Sequence, residues 1–142
     1  MRSLGLDIGR RRIGVALSDP LGIYAFPLET LPGMPPEELR AYVEKRAGEG
    51  VDTVVLGLPR TLRGHEGSEA KRVRAYAKAL ASLAGLRVVI WDERMSTVEA
   101  EKRLREAGRL KRGKKVDAQA AAVILQSYLD AGRRGRETEG DE

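Results

Sequence analysis

The sequence predicts a mixed α/β fold in which a five-stranded sheet is flanked by helices. Three strand-like runs come first, joined by turns short enough for antiparallel hairpins. Two later strands alternate with segments of helical periodicity, and the first of them is fully apolar, as strands buried in a parallel sheet are. This order of elements is typical of a mixed sheet with helices packed on its faces.

The first four elements are marked by apolar spacing and by the residues that break it. Short turns rich in glycine and charged residues separate the three hairpin strands. Pro35 and Pro36 mark the start of the first helix, because proline is favoured in the first turn of a helix. The predicted elements are strands over residues 4–8, 13–18 and 23–28 and a helix over residues 37–47.

The remaining elements alternate between strand and helix. A Gly/Pro/Arg loop separates the fourth strand from a helix whose apolar residues recur at helical spacing between Val73 and Leu83. Ser96 and Glu99 have the spacing of a capping box and mark the start of another helix. The last helix is apolar nearly all round, which predicts burial. The two strands cover residues 53–58 and 87–91, the loop covers residues 59–67, and the last helix covers residues 118–131.

The length predicts one domain with its own core, because 142 residues are too few for two domains of ordinary size. Residues 1–131 form the predicted domain, and residues 132–142, which lack an apolar period, are predicted to be a disordered tail. Hydrophobic residues make up 42% of the chain and charged residues 33%, a globular composition, and there is no cysteine. Without a secretory signal or an apolar run of membrane length, the predicted location is the cytoplasm.

Asp7 is an acidic residue within an otherwise apolar strand. Side chains alternate along a strand, so Asp7 faces the opposite way from Leu6 and Ile8. A carboxylate in that position loses much of its hydration unless a cation compensates for the loss. Two kinds of partner are open at this point: an arginine from residues 10–12, or a divalent metal ion.

Glu93 and Asp117 share a feature with Asp7, since each lies at or just past the end of an apolar element. A mixed α/β sheet places its binding crevice at such ends. Carboxylates are preferred ligands of Mg²⁺ and Mn²⁺, and two such ions about 4 Å apart can activate a water for phosphodiester hydrolysis. The three residues therefore form a predicted metal-binding and catalytic set. Two alternatives remain: Asp92 could replace Glu93 as ligand, and Asp117 could be an ordinary helix N-cap.

Basic residues near these carboxylates indicate a polyanionic partner. The net charge is +5, and residues 108–115 hold five cations and no anion. Glycine-punctuated basic loops suit a nucleic-acid backbone, although solvation at the surface is the plain alternative. For Arg94 the sequence leaves open a phosphate contact or a pair with a nearby carboxylate. The candidate phosphate contacts are Arg10, Arg11, Arg60, Arg63, Arg94, Lys111, Arg112, Lys114 and Lys115.

Four stretches of the chain resemble, in order, the motifs of the YqgF/RuvX family of small bacterial proteins. The resemblance runs from about Leu4 to Leu129, and four motifs in the right order make it specific. It implies a ribonuclease-H-like fold, related to that of Holliday-junction resolvases, with an acidic site at one end of the sheet. The matching stretches are LDIGRRRIGVA at residues 6–16, GLPR at 57–60, DERMST at 92–97 and DAQAA at 117–121.

Carried over by position, Asp7, Glu93 and Asp117 match the acidic triad of that family. The resemblance implies that Asp7 bridges two Mg²⁺ or Mn²⁺ ions, while Glu93 and Asp117 each hold one side. Resolvases proper carry a further aspartate one helical turn after the last acid, and this chain has Ala120 there. The chain therefore departs from the four-carboxylate pattern of resolvases.

The function implied by the resemblance is that of a metal-dependent nuclease, a hydrolase that processes the 5′ end of pre-16S rRNA during ribosome biogenesis. RNA is then the favoured partner, and pre-ribosomal particles are a further one. Other readings are a Holliday-junction resolvase acting on branched DNA and a non-catalytic, nucleic-acid-binding module of ribosome assembly. ATP-dependent phosphotransfer is disfavoured because it needs two such domains. The chain is a monomer or a homodimer, and symmetric junction cutting requires the dimer.

Overall fold

The structure is a computed structural model that describes residues 2–61, 63–95, 98–110 and 116–140, the last range with side chains for residues 117–132. Its architecture confirms the predicted fold class, a five-stranded mixed sheet flanked by helices. The strands are β1 (Arg2–Ile8), β2 (Arg12–Ser18), β3 (Ala25–Pro32), β4 (Val51–Leu58) and β5 (Arg87–Asp92). The helices are α1 (Pro36–Ala47), α2 (Ser68–Ala81), α3 (Val98–Glu106) and α4 (Val116–Gly140), and a 3₁₀ turn covers Glu93–Met95.

The sheet has the strand order β3-β2-β1-β4-β5, with β1 in the middle. The hairpin strands β1, β2 and β3 pair antiparallel, whereas β4 lies parallel to β1 and β5 lies parallel to β4. Parallel neighbours need a crossover connection. The chain passes from β1 to β4 through β2, β3 and α1, and from β4 to β5 through α2. The carboxyl ends of β1, β4 and β5 therefore meet at one edge of the sheet.

The core is split between the two faces of the sheet. On one face, α1 and α2 pack against the side chains of Leu4, Leu6 and Ile8. On the other face α4 lies across the strands, with Leu125 fully buried against them. α3 packs onto α4 through Leu104. The alternation predicted for β1 is confirmed, since its apolar side chains face α1 and α2 while Gly5 contacts α4.

Two elements, β3 and α4, differ most in their bounds from the sequence prediction. β3 begins at Ala25 rather than at residue 23, because the N–H of Ile23 donates to the Asp19 carboxylate at 2.8 Å and holds Ile23 in the preceding loop. β3 then continues to Pro32, since an edge strand tolerates proline. α4 extends past Ala131, its predicted end, to Gly140, and no proline interrupts the sequence there. Ser96, the predicted capping residue of α3, lies outside the described residues.

The described part of the chain contains no helix with the length and apolar character needed to cross a membrane.

Candidate active site

Asp7 lies near the carboxyl end of β1, on the face of the sheet that α4 covers. Partial burial raises the pKa of the Asp7 carboxyl, and the negative charge of Asp117 raises it further. Within the described residues the Asp7 carboxylate has no hydrogen bond or ion pair. The arginine alternative for its partner is therefore not realised there, since Arg10 pairs with Glu69 and Arg12 with Asp117.

Glycines in the two strands beside β1 make room for the other two carboxylates. Gly14 of β2 is the register partner of Asp7, and a Cβ built on it would lie 1.9 Å from the backbone oxygen of Asp117. Gly57 of β4 follows the register partner of Leu6, and a Cβ there would lie 2.9 Å from Glu93 Oε1. A larger residue would displace the first turn of α4 at Gly14 and the Glu93 side chain at Gly57. The two glycines thus let both acids approach the sheet.

Glu93 and Asp92 are neighbours in sequence with different environments. Asp92 ends β5 and accepts hydrogen bonds from Arg94 through the backbone N–H at 2.9 Å and the guanidinium at 2.6 Å, and these bonds lower its pKa. Glu93 begins the 3₁₀ turn, and burial together with the negative charges of Asp7 and Asp92 raises its pKa. Within the described residues Glu93 has no cationic partner. The geometry therefore favours Glu93 over Asp92 as a ligand and pairs Arg94 with a carboxylate.

Asp117 is the second residue of α4 and lies in its first turn, where the helix dipole favours a negative charge. Its backbone sits directly over Gly14, so the close approach of α4 to β2 fixes its position. Its Oδ2 accepts a hydrogen bond from Arg12 Nε at 2.9 Å. Among the described residues, Asp117 is thus the one acid of the three with a cation in contact.

The donor set has the chemistry that a hard divalent cation needs. Asp7, Glu93 and Asp117 offer carboxylate oxygens, and Asp7 is coupled electrostatically to both of the others. Like charges held together without a compensating cation are the environment that a bound Mg²⁺ or Mn²⁺ relieves. In the part of the chain that the structure describes, no group of three acidic or histidine side chains is close enough to form a ready-made metal cluster. Completing such a site requires side-chain movements or oxygen ligands from substrate and water.

The predicted phosphate contacts divide into three groups. Arg10, paired with Glu69 at 2.6 Å, and Arg11 lie on the exposed β1–β2 turn, and Arg63 is exposed on the β4–α2 loop. Arg60 is half-buried beside Asp92 and Glu66 at 3.7 and 3.6 Å, and its Nε has no hydrogen-bond partner among the described residues. The predicted contacts from the basic loop lie outside the described residues, namely Lys111, Arg112, Lys114 and Lys115.

Three residues of this site were not singled out from the sequence. Gly14 and Gly57 lie inside predicted strands and family motifs and received no role of their own. A glycine inside a strand nevertheless indicates that another group approaches the backbone closely. Arg12 was grouped with Arg10 and Arg11, and nothing in the sequence distinguishes which of the three reaches Asp117.

The chain is similar to known proteins over almost its whole length. The sequence profile of a family described as "RuvX: Holliday junction resolvase" matches residues 1–131. A relative from Desulforudis audaxviator, named "Putative pre-16S rRNA nuclease", is 47% identical over 141 residues, which cover 97% of this chain and 100% of the relative. A protein of the same name from Geobacillus kaustophilus is 44% identical over 143 residues, which cover 94% and 100%.

Solved structures show the same fold at low sequence identity. RuvC of T. thermophilus, in complex with a Holliday junction substrate, superposes with a TM-score of 0.68 at 18% identity, covering 95% of this chain and 96% of RuvC. The large terminase nuclease of the thermophilic phage G20c superposes with a TM-score of 0.56 at 15% identity, covering 90% and 81%. These likenesses confirm the ribonuclease-H-like fold predicted from the motifs.

Proposed function

The chain belongs to the RuvX family, and from that premise we propose that it is a metal-dependent nuclease that hydrolyses phosphodiester bonds in structured nucleic acid. The observation that carries the proposal is the grouping of Asp7, Glu93 and Asp117 at one edge of the sheet. Two of these carboxylates have no cationic partner in the described structure. A purely structural site would neutralise such charges with arginine, which the chain has in abundance.

The proposed role of each of the three acids follows from its position in the fold. Asp7, at the centre of the sheet, would hold the divalent metal together with Glu93 and Asp117. Bound Mg²⁺ or Mn²⁺ would supply the Lewis acidity that activates a water and stabilises the leaving oxygen. The carboxylates hold their positions because Gly14 and Gly57 leave room for them.

The arginines of the two neighbouring loops are the proposed phosphate contacts. Arg60 follows the carboxyl end of β4 and carries a buried Nε donor with no partner among the described residues, and a phosphate oxygen is the kind of acceptor that would satisfy it. Arg10, Arg11, Arg63 and Arg94 surround the same edge of the sheet. Contacts of this kind set register on the backbone and carry no base sequence information. Hydrolysis with in-line attack then leaves a 5′ phosphate and a 3′ hydroxyl, as the family resemblance implies.

Precursor ribosomal RNA is the proposed substrate, because relatives that are 44–47% identical carry the name of a pre-16S rRNA nuclease. On this proposal the protein works in the cytoplasm, on RNA or on pre-ribosomal particles. The family description supplies a second candidate, resolution of Holliday junctions. That activity requires a homodimer, since two strands are cut symmetrically.

Cleavage of end-labelled substrates tests the proposal. The substrates are a precursor fragment spanning the 5′ end of 16S rRNA, an unstructured RNA and a four-way DNA junction, each with Mn²⁺, Mg²⁺ or chelator. We expect metal-dependent cutting of the precursor that is lost in Asp7→Asn. The matched control is Asp52→Asn, which changes an aspartate at the amino end of β4, away from the site. Binding of every substrate without cutting in any metal would refute the nuclease and favour the assembly module.

A further inference from the structure

Arg12 makes the one cationic contact that the described structure gives to the three carboxylates. Its Nε lies 2.9 Å from Asp117 Oδ2. Arg12 begins β2 two residues before Gly14, so both residues face α4. The Arg12 side chain is 64% exposed and that of Asp117 is 33% exposed, which leaves the pair open to solvent at the rim of the site. The contact is therefore reachable by ions and by substrate.

This contact occupies an oxygen that a metal ion at the site would use. Asp117 Oδ2 cannot donate fully to a divalent cation while a guanidinium N–H holds it. Asp7 and Glu93, by contrast, have no hydrogen bond or ion pair in the described structure. Of the three acids, Asp117 alone is thus occupied by a cationic side chain in the described structure, a state that we call capped. The described residues contain no group of three side chains that could already hold a metal ion.

We propose that Arg12 is a positioning residue that caps Asp117 until a divalent ion binds and then moves to a phosphate of the bound nucleic acid. The proposal rests on the proposed function, because it presumes a metal site and a phosphate substrate. An exposed ion pair is weak, so an incoming divalent ion can displace it at little cost. A released guanidinium next to the reacting phosphodiester has the fork geometry that binds phosphate oxygens in pairs. The exchange would couple metal binding to substrate binding.

The proposal predicts that removing the Arg12 charge has opposite effects on the two ligands. In Arg12→Gln, Mn²⁺ should bind about two- to fivefold more tightly in the absence of nucleic acid, because the competing pair is gone. The same variant should bind the precursor RNA more weakly, with the slope of log affinity against log salt reduced by about one. A merely structural arginine would not produce opposite changes.

Arg10→Gln is the matched control for Mn²⁺ binding alone, since it removes the same charge two residues before Arg12 but breaks a pair with Glu69 instead of Asp117. Mn²⁺ binding is measured by electron paramagnetic resonance at 0.1 M salt, where charges more than about 10 Å apart are largely screened. Thermal unfolding of each variant checks that the fold is retained. We expect the tighter Mn²⁺ binding in Arg12→Gln and not in Arg10→Gln.

The outcomes separate this inference from the nuclease proposal. Mn²⁺ binding to wild type with equal or weaker binding to Arg12→Gln would overturn the role of Arg12 and leave the metal site standing. Binding by Arg12→Gln alone would support the capping role in its strongest form. Absence of Mn²⁺ binding in both proteins would overturn the metal-dependent function and this inference together.

Discussion

Gly14→Ala tests the claim that a close helix-to-strand approach builds the acidic site. The new Cβ would lie 1.9 Å from the backbone oxygen of Asp117 and 2.3 Å from its carbonyl carbon. Ordinary van der Waals contact begins at 3.4 Å, so the first turn of α4 has to move by about 1.5 Å. The obstacle is backbone, which cannot turn aside as a flexible side chain can. Overpacking of this kind costs about 1–3 kcal/mol, or more when the backbone must shift.

The displacement should affect activity more than stability. A misplacement of about 1 Å at a catalytic group can lower a rate by about 10²-fold, so cleavage of the precursor RNA should fall at least that far. The melting temperature should drop by about 3–15 °C, measured by circular dichroism. Gly132→Ala is the control, because nothing lies within 4 Å of a Cβ there and alanine favours a helix. A Gly14→Ala protein with the melting temperature and cleavage rate of wild type would refute the reasoning.

Three further perturbations follow from contacts elsewhere in the structure. In Gly57→Ala the new Cβ would meet Glu93 Oε1 at 2.9 Å and the Ile124 side chain at 2.7 Å. Because both side chains can move, the melting temperature should fall by only a few degrees, while the rate of cleavage drops about 10²-fold. An unchanged cleavage rate would contradict this expectation. Gln126→Leu should lower the free energy of unfolding by at least about 1–3 kcal/mol in urea titrations. The buried amide accepts a hydrogen bond from the Ala25 N–H and donates one to the Ile23 carbonyl, both at 2.9 Å, and leucine can do neither. A neutral effect would show that these backbone groups find other partners. The Tyr42 hydroxyl donates a hydrogen bond to the Glu29 carboxylate at 2.6 Å, and this bond keeps the pKa of Glu29 below its ordinary value of 4.5. Ionised Glu29 therefore stabilises the fold at neutral pH, and this stabilisation is lost as the pH falls through the lowered pKa. Glu29→Gln should therefore cost up to about 1 kcal/mol at pH 7, the value of an exposed pair, and progressively less as the pH falls through the lowered pKa of Glu29. A cost that does not depend on pH would contradict the assignment.

The sequence predicted the sheet and the location of its acidic edge for identifiable physical reasons. Apolar runs with period two and helical spacing fix element type, because they report which side chains must be buried. Asp7 was singled out as a candidate because a carboxylate inside an apolar strand loses hydration unless a cation compensates for it. The start of β3 was misplaced by two residues, since a hydrogen bond from the Ile23 N–H to the Asp19 carboxylate decides where pairing starts.

The details of the site depend on contacts between distant parts of the chain, which a single sequence does not contain. Arg12 and Asp117 are 105 residues apart, and no local pattern selects Arg12 over its two neighbours. The choice between Asp92 and Glu93 likewise depends on the turn after β5, which directs Asp92 toward Arg94 and leaves Glu93 over Gly57. The roles of Gly14 and Gly57 become evident only once α4 and the β5 end are packed on the sheet.

The most direct test of the central claim is a Mn²⁺ titration of the wild-type protein and of single carboxylate variants, followed by electron paramagnetic resonance. If Asp7, Glu93 and Asp117 form one metal site, Asp7→Asn and Glu93→Gln should each weaken Mn²⁺ binding at least about tenfold. Asp92→Asn, which changes an adjacent carboxylate held by Arg94, should change the affinity less than about twofold. Wild-type affinity in Asp7→Asn, or a large loss in Asp92→Asn alone, would contradict the account.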